Sequence, residues 1–457
     1  MNVPNQLGEA PVKSLFFKFY FPALASILSS TLHQIINGII LGQQVGKEGL
    51  AVVGLYGPVV IVFISLTLPV MIGGGILIGK SIGAKNYENA QRFFQFATTL
   101  ALSSGVVIAL STPFLVKPIA NFLAGADNTI MFKNTSDYMF WQLIALPFFF
   151  LLMFWGNFLS NDNAPKISRN ASLLAVTLNI VLDLILITGL HLGVKGVSLA
   201  TAISIFSATL YLFLYIQRGK SHFSFRHFQF TLKLREWREL INLGLPSFAS
   251  EISFSSGLLM ISHSLVSYGS LAVSAFGLVN YLSFLFIRLF TAAMIAMLPV
   301  ISFNIGAKLP NRVLGIFKFS LLFTFVLGAV ITTLGFIIPD MLIDLISDDE
   351  TPEFKKLVTS AIALYFILFL AAGPNYILSA YFQSIGKSKI SILINVFKGI
   401  LLIAIFLALL PGYFNMGLNG IWLSRSLAEV CTFILIGIYS FCKSQDYYHE
   451  SVITPAN

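Results

Sequence analysis

Residues 50–92 read LAVVGLYGPVVIVFISLTLPVMIGGGILIGKSIGAKNYENAQR. From Ala51 to Gly79 this stretch holds no Asp, Glu, Lys, Arg or His; Lys80, Lys85 and Arg92 then follow in quick succession. A helix needs about 20 mainly apolar residues to cross a bilayer, so the segment predicts a membrane span that ends in a basic loop. It is too long and too uniformly apolar for an alternating barrel strand. In lipid the backbone must close its own hydrogen bonds, which leaves the helix.

The same pattern recurs along the chain. Apolar runs separated by short polar loops lie near 15–41, 51–79, 93–116, 134–157, 166–190, 194–217, 238–267, 272–300, 314–338, 357–384, 388–411 and 416–441. Composition agrees: of 457 residues 56% are apolar and only 10% charged, with 44 Phe, and the mean hydropathy is +0.85. Soluble domains carry about 25% charged residues, so a soluble enzyme, a disordered chain and a secreted disulfide scaffold are excluded. The predicted fold is an all-α integral membrane protein with twelve transmembrane helices. Cys431 and Cys442 suggest no structural cross-link. The polar start of the chain, up to Ser14, shows no cleavable signal.

Lys and Arg set the expected orientation. Lys80, Lys85 and Arg92 follow span 2, and Lys166 and Arg169 follow span 4. Arg218, Lys220, Arg226, Lys233, Arg235 and Arg238 follow span 6; Lys308, Arg312 and Lys318 follow span 8; Lys387 and Lys389 follow span 10. The loop after span 9 is acidic instead, with Asp340, Asp344, Asp348, Asp349, Glu350 and Glu353. The positive-inside rule therefore places the even-numbered loops and both termini in the cytoplasm. It also accounts for the net charge of +9 without a nucleic-acid partner.

The chain repeats itself. LAV at 50–52 returns at 271–273, IGAK at 82–85 at 305–308, and KIS at 166–168 at 389–391. Gly193 and Gly196 are echoed by Gly417 and Gly420, and FPALAS at 21–26 by LPSFAS at 245–250. Five matches in order, at nearly constant offset, divide the chain into a lobe at 1–217, a basic cytoplasmic linker at 218–237 and a lobe at 238–457. Each lobe has six spans, an even number, so the two are parallel repeats. That organisation suits a transporter better than a channel.

Charged and polar groups within the spans mark candidate sites, because they are costly in lipid. Asp183 stands in LNIVLDLIL with Asn179 one helical turn earlier on the same face. Such a pair can hold a hard cation, or the carboxylate can carry a proton; a carboxyl that only pins a neighbouring helix is the alternative. The corresponding positions of the second half are Leu402 and Phe406, so the shared architecture does not require the pair. His33, Gln34 and Asn37 crowd the end of span 1, and Thr201 faces either Asp183 or its own backbone. Glu251, His263, Arg288, Asn375, Gln383, Lys398, Arg425 and Glu429 lie in spans of the second half. Of these, Glu251, Arg288 and Asn375, together with His33, are candidates for a substrate cavity or a second coupling site. Arg288 can satisfy Glu251, and the i, i+4 spacing of Arg425 and Glu429 predicts a mutual, structural pair. Pro22, Pro69, Pro147, Pro246, Pro299 and Pro374 are expected to interrupt helices and free carbonyls, and GGG at 73–75 permits close approach or local unwinding.

NGIILG (37–42), LAVVGL (50–55) and IGAKNYENA (82–90) resemble the first two helices of the multidrug and toxic compound extrusion (MATE) transporters. LNIVLDLILITGLHLGVKGVSLATAIS (178–204) is similar to their fifth and sixth helices, GLPS (244–247) to the start of the seventh and MLPVISFNIGAK (297–308) to the eighth. The chain looks closest to the DinF-like branch. The resemblance implies two six-helix lobes in a V around a central cavity. It also implies an antiporter, active as a monomer in the inner membrane of a prokaryote, that exports cationic or amphipathic drug-like molecules against H⁺ or Na⁺ and needs no other cofactor. In that branch the coupling site joins an Asp of helix 1, an Asn and an Asp of helix 5 and a Thr of helix 6. Asn179, Asp183 and Thr201 match, with Asp183 and Asn179 as the place for any Na⁺. The helix-1 acid, five residues before a Gly, is here Asn37, which leaves one carboxylate where the pattern has two, so the coupling ion and stoichiometry stay open. Pro22 resembles the proline at which the branch bends, and Glu251 is close to the position of a helix-7 Glu used by another branch. A lipid-linked sugar flippase and an ion channel are the competing functions. A major-facilitator transporter is disfavoured because GKSIGAKNY (79–87) lacks that family's acidic loop motif.

Overall fold

A computed structural model describes residues 6–124, 129–225, 233–344 and 351–442. Arg226 of the basic linker and Asp348, Asp349 and Glu350 of the acidic loop lie outside these residues. Among the described residues the fold is helical throughout. Twelve long helices follow in order: α1 (Val12–Gln44), α2 (Lys47–Gly83), α3 (Tyr87–Ala124), α4 (Thr129–Asn161), α5 (Pro165–Gly189), α6 (Gly193–Gln217), α7 (Leu234–Val266), α8 (Ser270–Gly306), α9 (Pro310–Ile337), α10 (Pro352–Ser384), α11 (Ser388–Tyr413) and α12 (Gly417–Cys442). Each expected span coincides with one of them to within a residue or lies inside it.

Several helices exceed the apolar runs that identified them. The longest, α3, has 38 residues, about 57 Å at 1.5 Å per residue against a hydrocarbon core of about 30 Å. Polar residues therefore continue each helix into the interfacial region. Eleven of the twelve are long and apolar enough to cross a membrane. The exception is α7, which opens with Arg235, Glu236, Arg238 and Glu239 and carries Glu251, His263 and a series of serines further on.

The internal repeat is written into the backbone. Five pairs of residues take left-handed conformations at matching positions: Gly46 and Gly269, Lys85 and Lys308, Asn163 and Gly386, His191 and Asn415, Gly193 and Gly417. Such residues terminate helices by turning the chain where the last carbonyls need partners. The closing bonds recur too: Asn86 N–H to Ser81 O (2.9 Å) matches Leu309 N–H to Asn304 O (3.0 Å), and Ala164 N–H to Leu159 O (2.9 Å) matches Lys387 N–H to Phe382 O (2.8 Å). In both α5 and α11 the helix widens to π geometry near its end, at Leu184–Gly189 and at Leu409–Tyr413.

The chain forms two compact units, Phe21–Ile241 and Met1–Tyr20 with Asn242–Asn457. In each, the fourth helix of the repeat, α4 or α10, is among the most enclosed. The boundaries differ from those drawn on the sequence at two places. The start of α1 packs with the second unit: Arg312 donates to the carbonyls of Leu7 (3.2 Å) and Ala10 (2.8 Å), and Phe16 meets Phe319 and Phe323 at 5.2 Å. The described part of the linker is docked on the first unit. Asp162 accepts from the Ser221 hydroxyl (2.7 Å), the His222 N–H (3.0 Å) and the His222 ring. Phe223, 1% exposed, stacks on Phe94 at 4.4 Å.

The prolines do not interrupt their helices; helical hydrogen bonding resumes around each of them. Near Pro246 carbonyls are taken up from outside the helix, with Gln383 donating to Leu243 O (2.7 Å) and Asn395 to Pro246 O (3.1 Å). Helix α2 likewise runs unbroken through GGG, where a side chain on Gly75 would strike Asn157. Close approach, rather than unwinding, is the use of those glycines.

Candidate functional site

In the first unit α1, α5 and α6 bring His33, Asn37, Asn179, Asp183 and Thr201 together. Asn37 and His33 are one turn apart on α1, and the Asn37 amide reaches His33 Nε2 at 2.9 Å. Asn179 and Asp183 stand one turn apart on α5 and are buried. Asn179 is the hub, and its neighbours fix which way its amide lies. With nitrogen toward Asp183 Oδ2 (2.8 Å), Asn37 Oδ1 (3.1 Å) and His33 Nε2 (2.5 Å), its oxygen accepts from the Thr201 backbone N–H (3.0 Å) and hydroxyl (3.2 Å). The reverse orientation would set oxygen against acceptors. The single proton of the Thr201 hydroxyl is shared with Val197 O at 3.0 Å, so it is divided between the cluster and its own helix.

Asp183 is 0% exposed. One of its oxygens is held by Asn179; the other, Oδ1, has no hydrogen-bond partner among the described residues. The backbone passes into π geometry directly after it, a device that often accompanies functional positions in helices. Tyr138 of α4, buried and bonded to Gln142, lies within electrostatic reach of Asp183. Its ring packs edge-on against Tyr56 of α2 at 5.4 Å. Neither tyrosine was singled out from the sequence, where each is one of 15 in a largely apolar chain; a phenol inside a predicted span was the available signal.

The candidates of the second unit form a different centre. Asn375 donates to both the carboxylate (2.7 Å) and the backbone carbonyl (2.9 Å) of Glu429. Lys398 approaches the same carboxylate at 3.8 Å and lies 4.0 Å from the Tyr376 ring centre. Arg425 does not take up the expected pairing with Glu429. It donates to the Tyr365 hydroxyl (2.6 Å) and sits near the rings of Phe254 and Tyr365. The i, i+4 geometry permitted the pair, but the partners supplied by α10 and α11 are nearer. Lys398, Arg425 and Glu429 border an opening of about 20 Å³, room for about one water molecule. Arg288 lies over the Phe284 ring at 4.0 Å, and Glu251 is exposed on α7.

The MatE family model matches residues 22–185 and 246–410, one stretch in each repeat. The chain belongs to the MatE family. Its relatives include the multidrug export protein MepA of Staphylococcus saprophyticus, 28% identical over 423 residues (91% of this chain, 92% of that one). MepA of Staphylococcus haemolyticus is 26% identical over 437 residues, 94% of each chain. Among solved structures, MATE in the bent conformation superposes with a TM-score of 0.89 at 20% identity, covering 98% of both chains. A MOP superfamily transporter from Pyrococcus furiosus gives 0.88 at 20% identity, covering 97% of this chain and 98% of that one. These structural likenesses establish the fold.

In this MatE chain the first unit holds a carboxylate with one unmet oxygen, ringed by amide, hydroxyl and imidazole groups. A buried ionised carboxylate needs a counter-charge, which a proton or a small cation at Asp183 Oδ1 would supply. Asp183, Asn37 and Thr201 carry oxygen atoms of the kind a hard cation takes; Asn179, expected to share in holding Na⁺, instead turns its amide nitrogen to Asp183 and its oxygen to Thr201.

Proposed function

We propose that this protein is a secondary active multidrug efflux antiporter. It exports amphipathic or cationic small molecules from the cytoplasm in exchange for H⁺ or Na⁺ by alternating access. The cation or proton binds at Asp183, with Asn179, Asn37 and Thr201 around it, and His33 and Tyr138 close the pocket. The observation that carries this reading is the fully buried Asp183 carboxylate with an unpaired oxygen. A carboxyl that merely pinned a neighbouring helix would use both oxygens. The multidrug export role of the MepA relatives, over more than nine-tenths of their length, supports the substrate class. The distribution of Lys and Arg supports cytoplasmic termini, and the bacterial relatives support a plasma-membrane location. One chain contains both repeats and suffices as the working unit.

The test is efflux by purified protein in liposomes, with a pH gradient and a Na⁺ gradient imposed separately. Wild-type protein should extrude a fluorescent organic cation under at least one gradient. Asp183→Asn should remain folded and extrude none, because a neutral amide exchanges no proton and balances no cation. Full efflux by Asp183→Asn under both gradients would remove Asp183 from the mechanism.

A further inference from the structure

The first unit also contains a pocket of about 560 Å³ between α3, α4 and α6, bounded at one end by Phe225 of the linker. It is separate from the Asp183 cluster, sharing no residue with it. Its size falls in the range of sites for drug-sized molecules. Five of its twelve lining residues are aromatic (Phe148, Trp155, Phe206, Phe213 and Phe225), against 14% of the whole chain. None is charged.

The polar atoms around it are already engaged. The Trp155 indole donates to the Thr98 hydroxyl (3.1 Å), and the Thr209 hydroxyl to Phe148 O (2.8 Å). The Thr99 hydroxyl donates to Gln95 O (2.8 Å), and the Gln95 amide to Ser224 O (2.9 Å). The walls therefore select by apolar contact and ring stacking. Leu102, Phe206 and Leu210 at the rim are exposed on helices that cross the membrane, so the pocket opens toward the bilayer. Its residues fall at the start of α3 and the ends of α4 and α6, which places it at the same end of the unit as the linker.

We propose that this pocket is a binding site for planar aromatic amphiphiles that reach it from the leaflet beside the linker. The rings form a joined aromatic wall, Phe148 against Phe206 and Phe225 against Trp155 and Phe213. An acyl chain would bury similar apolar area on it, but a planar ring gains aromatic contacts as well and a planar cation adds attraction to the rings. With no lining charge, the ligand's charged end stays at the polar border of the leaflet and its ring body enters. The assignment rests on the export reading for its substrate class.

The test uses full-length protein in nanodiscs and ethidium as probe. Leu210→Trp fills the mouth from an exposed rim position, so the core packing is untouched; Leu322→Trp, on a lipid-facing surface of α9, is the control. Ethidium anisotropy should report binding weakened about tenfold or more by Leu210→Trp and unchanged by Leu322→Trp. In liposomes Leu210→Trp should raise KM for ethidium efflux with kcat retained. In nanodiscs of brominated-chain phospholipid, ethidium should relieve the quenching component that Trp155→Phe removes. Wild-type ethidium affinity in a Leu210→Trp protein with wild-type melting temperature would overturn the proposal. So would Trp155 quenching that ethidium leaves in place, which would assign the pocket to an acyl chain. Absence of efflux by wild-type protein under every gradient would overturn the export reading alone, since the binding arm needs no transport.

Discussion

Asp162 anchors the linker to the first unit, and its replacement by Asn gives the most quantitative check on the structure. Its side chain is 3% exposed, and Oδ2 accepts from both the Ser221 hydroxyl and the His222 N–H. An amide puts a donor where one of the two acceptor oxygens stood. Hydrogen bonds to a charged group contribute about 1.5–3 kcal/mol each. With His222 about half exposed, solvent screening reduces the combined loss to about 2 kcal/mol. That is about a 30-fold rise in the undocked population. Amide hydrogen exchange measures it directly: the protection factors of the His222 and Ser224 N–H groups should fall about 30-fold in Asp162→Asn. The pH dependence has a defined sign. The Asp162 carboxylate raises the pKa of the His222 ring above its ordinary value. The ion pair is therefore fully present below about pH 6.5, the undocked value, and fades as the pH rises through the docked one. Protection should be higher at about pH 5.5 than at about pH 8.5 in wild type, and this difference should vanish in Asp162→Asn. Unchanged protection in the mutant would refute the docking argument.

Asn37→Asp places a second carboxyl beside Asn179 and should broaden the dependence of efflux on pH, because two interacting acids lose their protons in two separated steps; an unchanged profile removes position 37 from the coupling pocket. Glu429→Gln leaves Lys398 buried without its carboxylate and should cost about 3 kcal/mol, read as a lower melting temperature. Adding Lys398→Met should restore most of it, and failure to do so would show that the pair is not the source. A methyl on Gly399 would lie 2.6 Å from the Ser253 Cβ and 2.7 Å from its carbonyl carbon, so Gly399→Ala should destabilise by about 1–3 kcal/mol. Unaltered thermal unfolding of that variant would show that α7 and α11 do not cross so tightly.

What the sequence reveals about this chain depends on range. The spans are legible because each is a local property of about 20 residues, and the repeat because its helix-terminating residues recur at fixed spacing. Asn179 and Asp183 are legible because one helical turn places them on one face, and Thr201 because its segment is similar to that of a known family. Arg425 shows the limit: local spacing favoured Glu429, yet Tyr365 of α10 claims its guanidinium. The linker was read by its cations alone, whereas the apolar rings of Phe223 and Phe225, interleaved with the polar residues, decide where it docks. Tyr138 is legible only as a phenol inside a span, since its place near Asp183 arises from the packing of α4 with α5.

The two repeats share their backbone but not their charge. Asn179 and Asp183 on α5 correspond to Leu402 and Phe406 on α11, while α11 carries Lys398 one turn before Leu402. The polar centre has thus shifted by a turn and changed sign. In the second unit the cation is permanently attached to the chain, and Glu429 and Tyr376 receive it there. A lysine ammonium cannot leave with a gradient, so that centre is supplied with its counter-charge from within. The first unit shows no such tether among the described residues: Asp183 keeps an oxygen unpaired in a pocket of amide and hydroxyl groups, the position at which the proposed mechanism places a mobile proton or cation. A duplicated scaffold in which one half neutralises itself and the other leaves a carboxylate with an unmet oxygen supports the proposed exchange centre at Asp183 over one at Lys398.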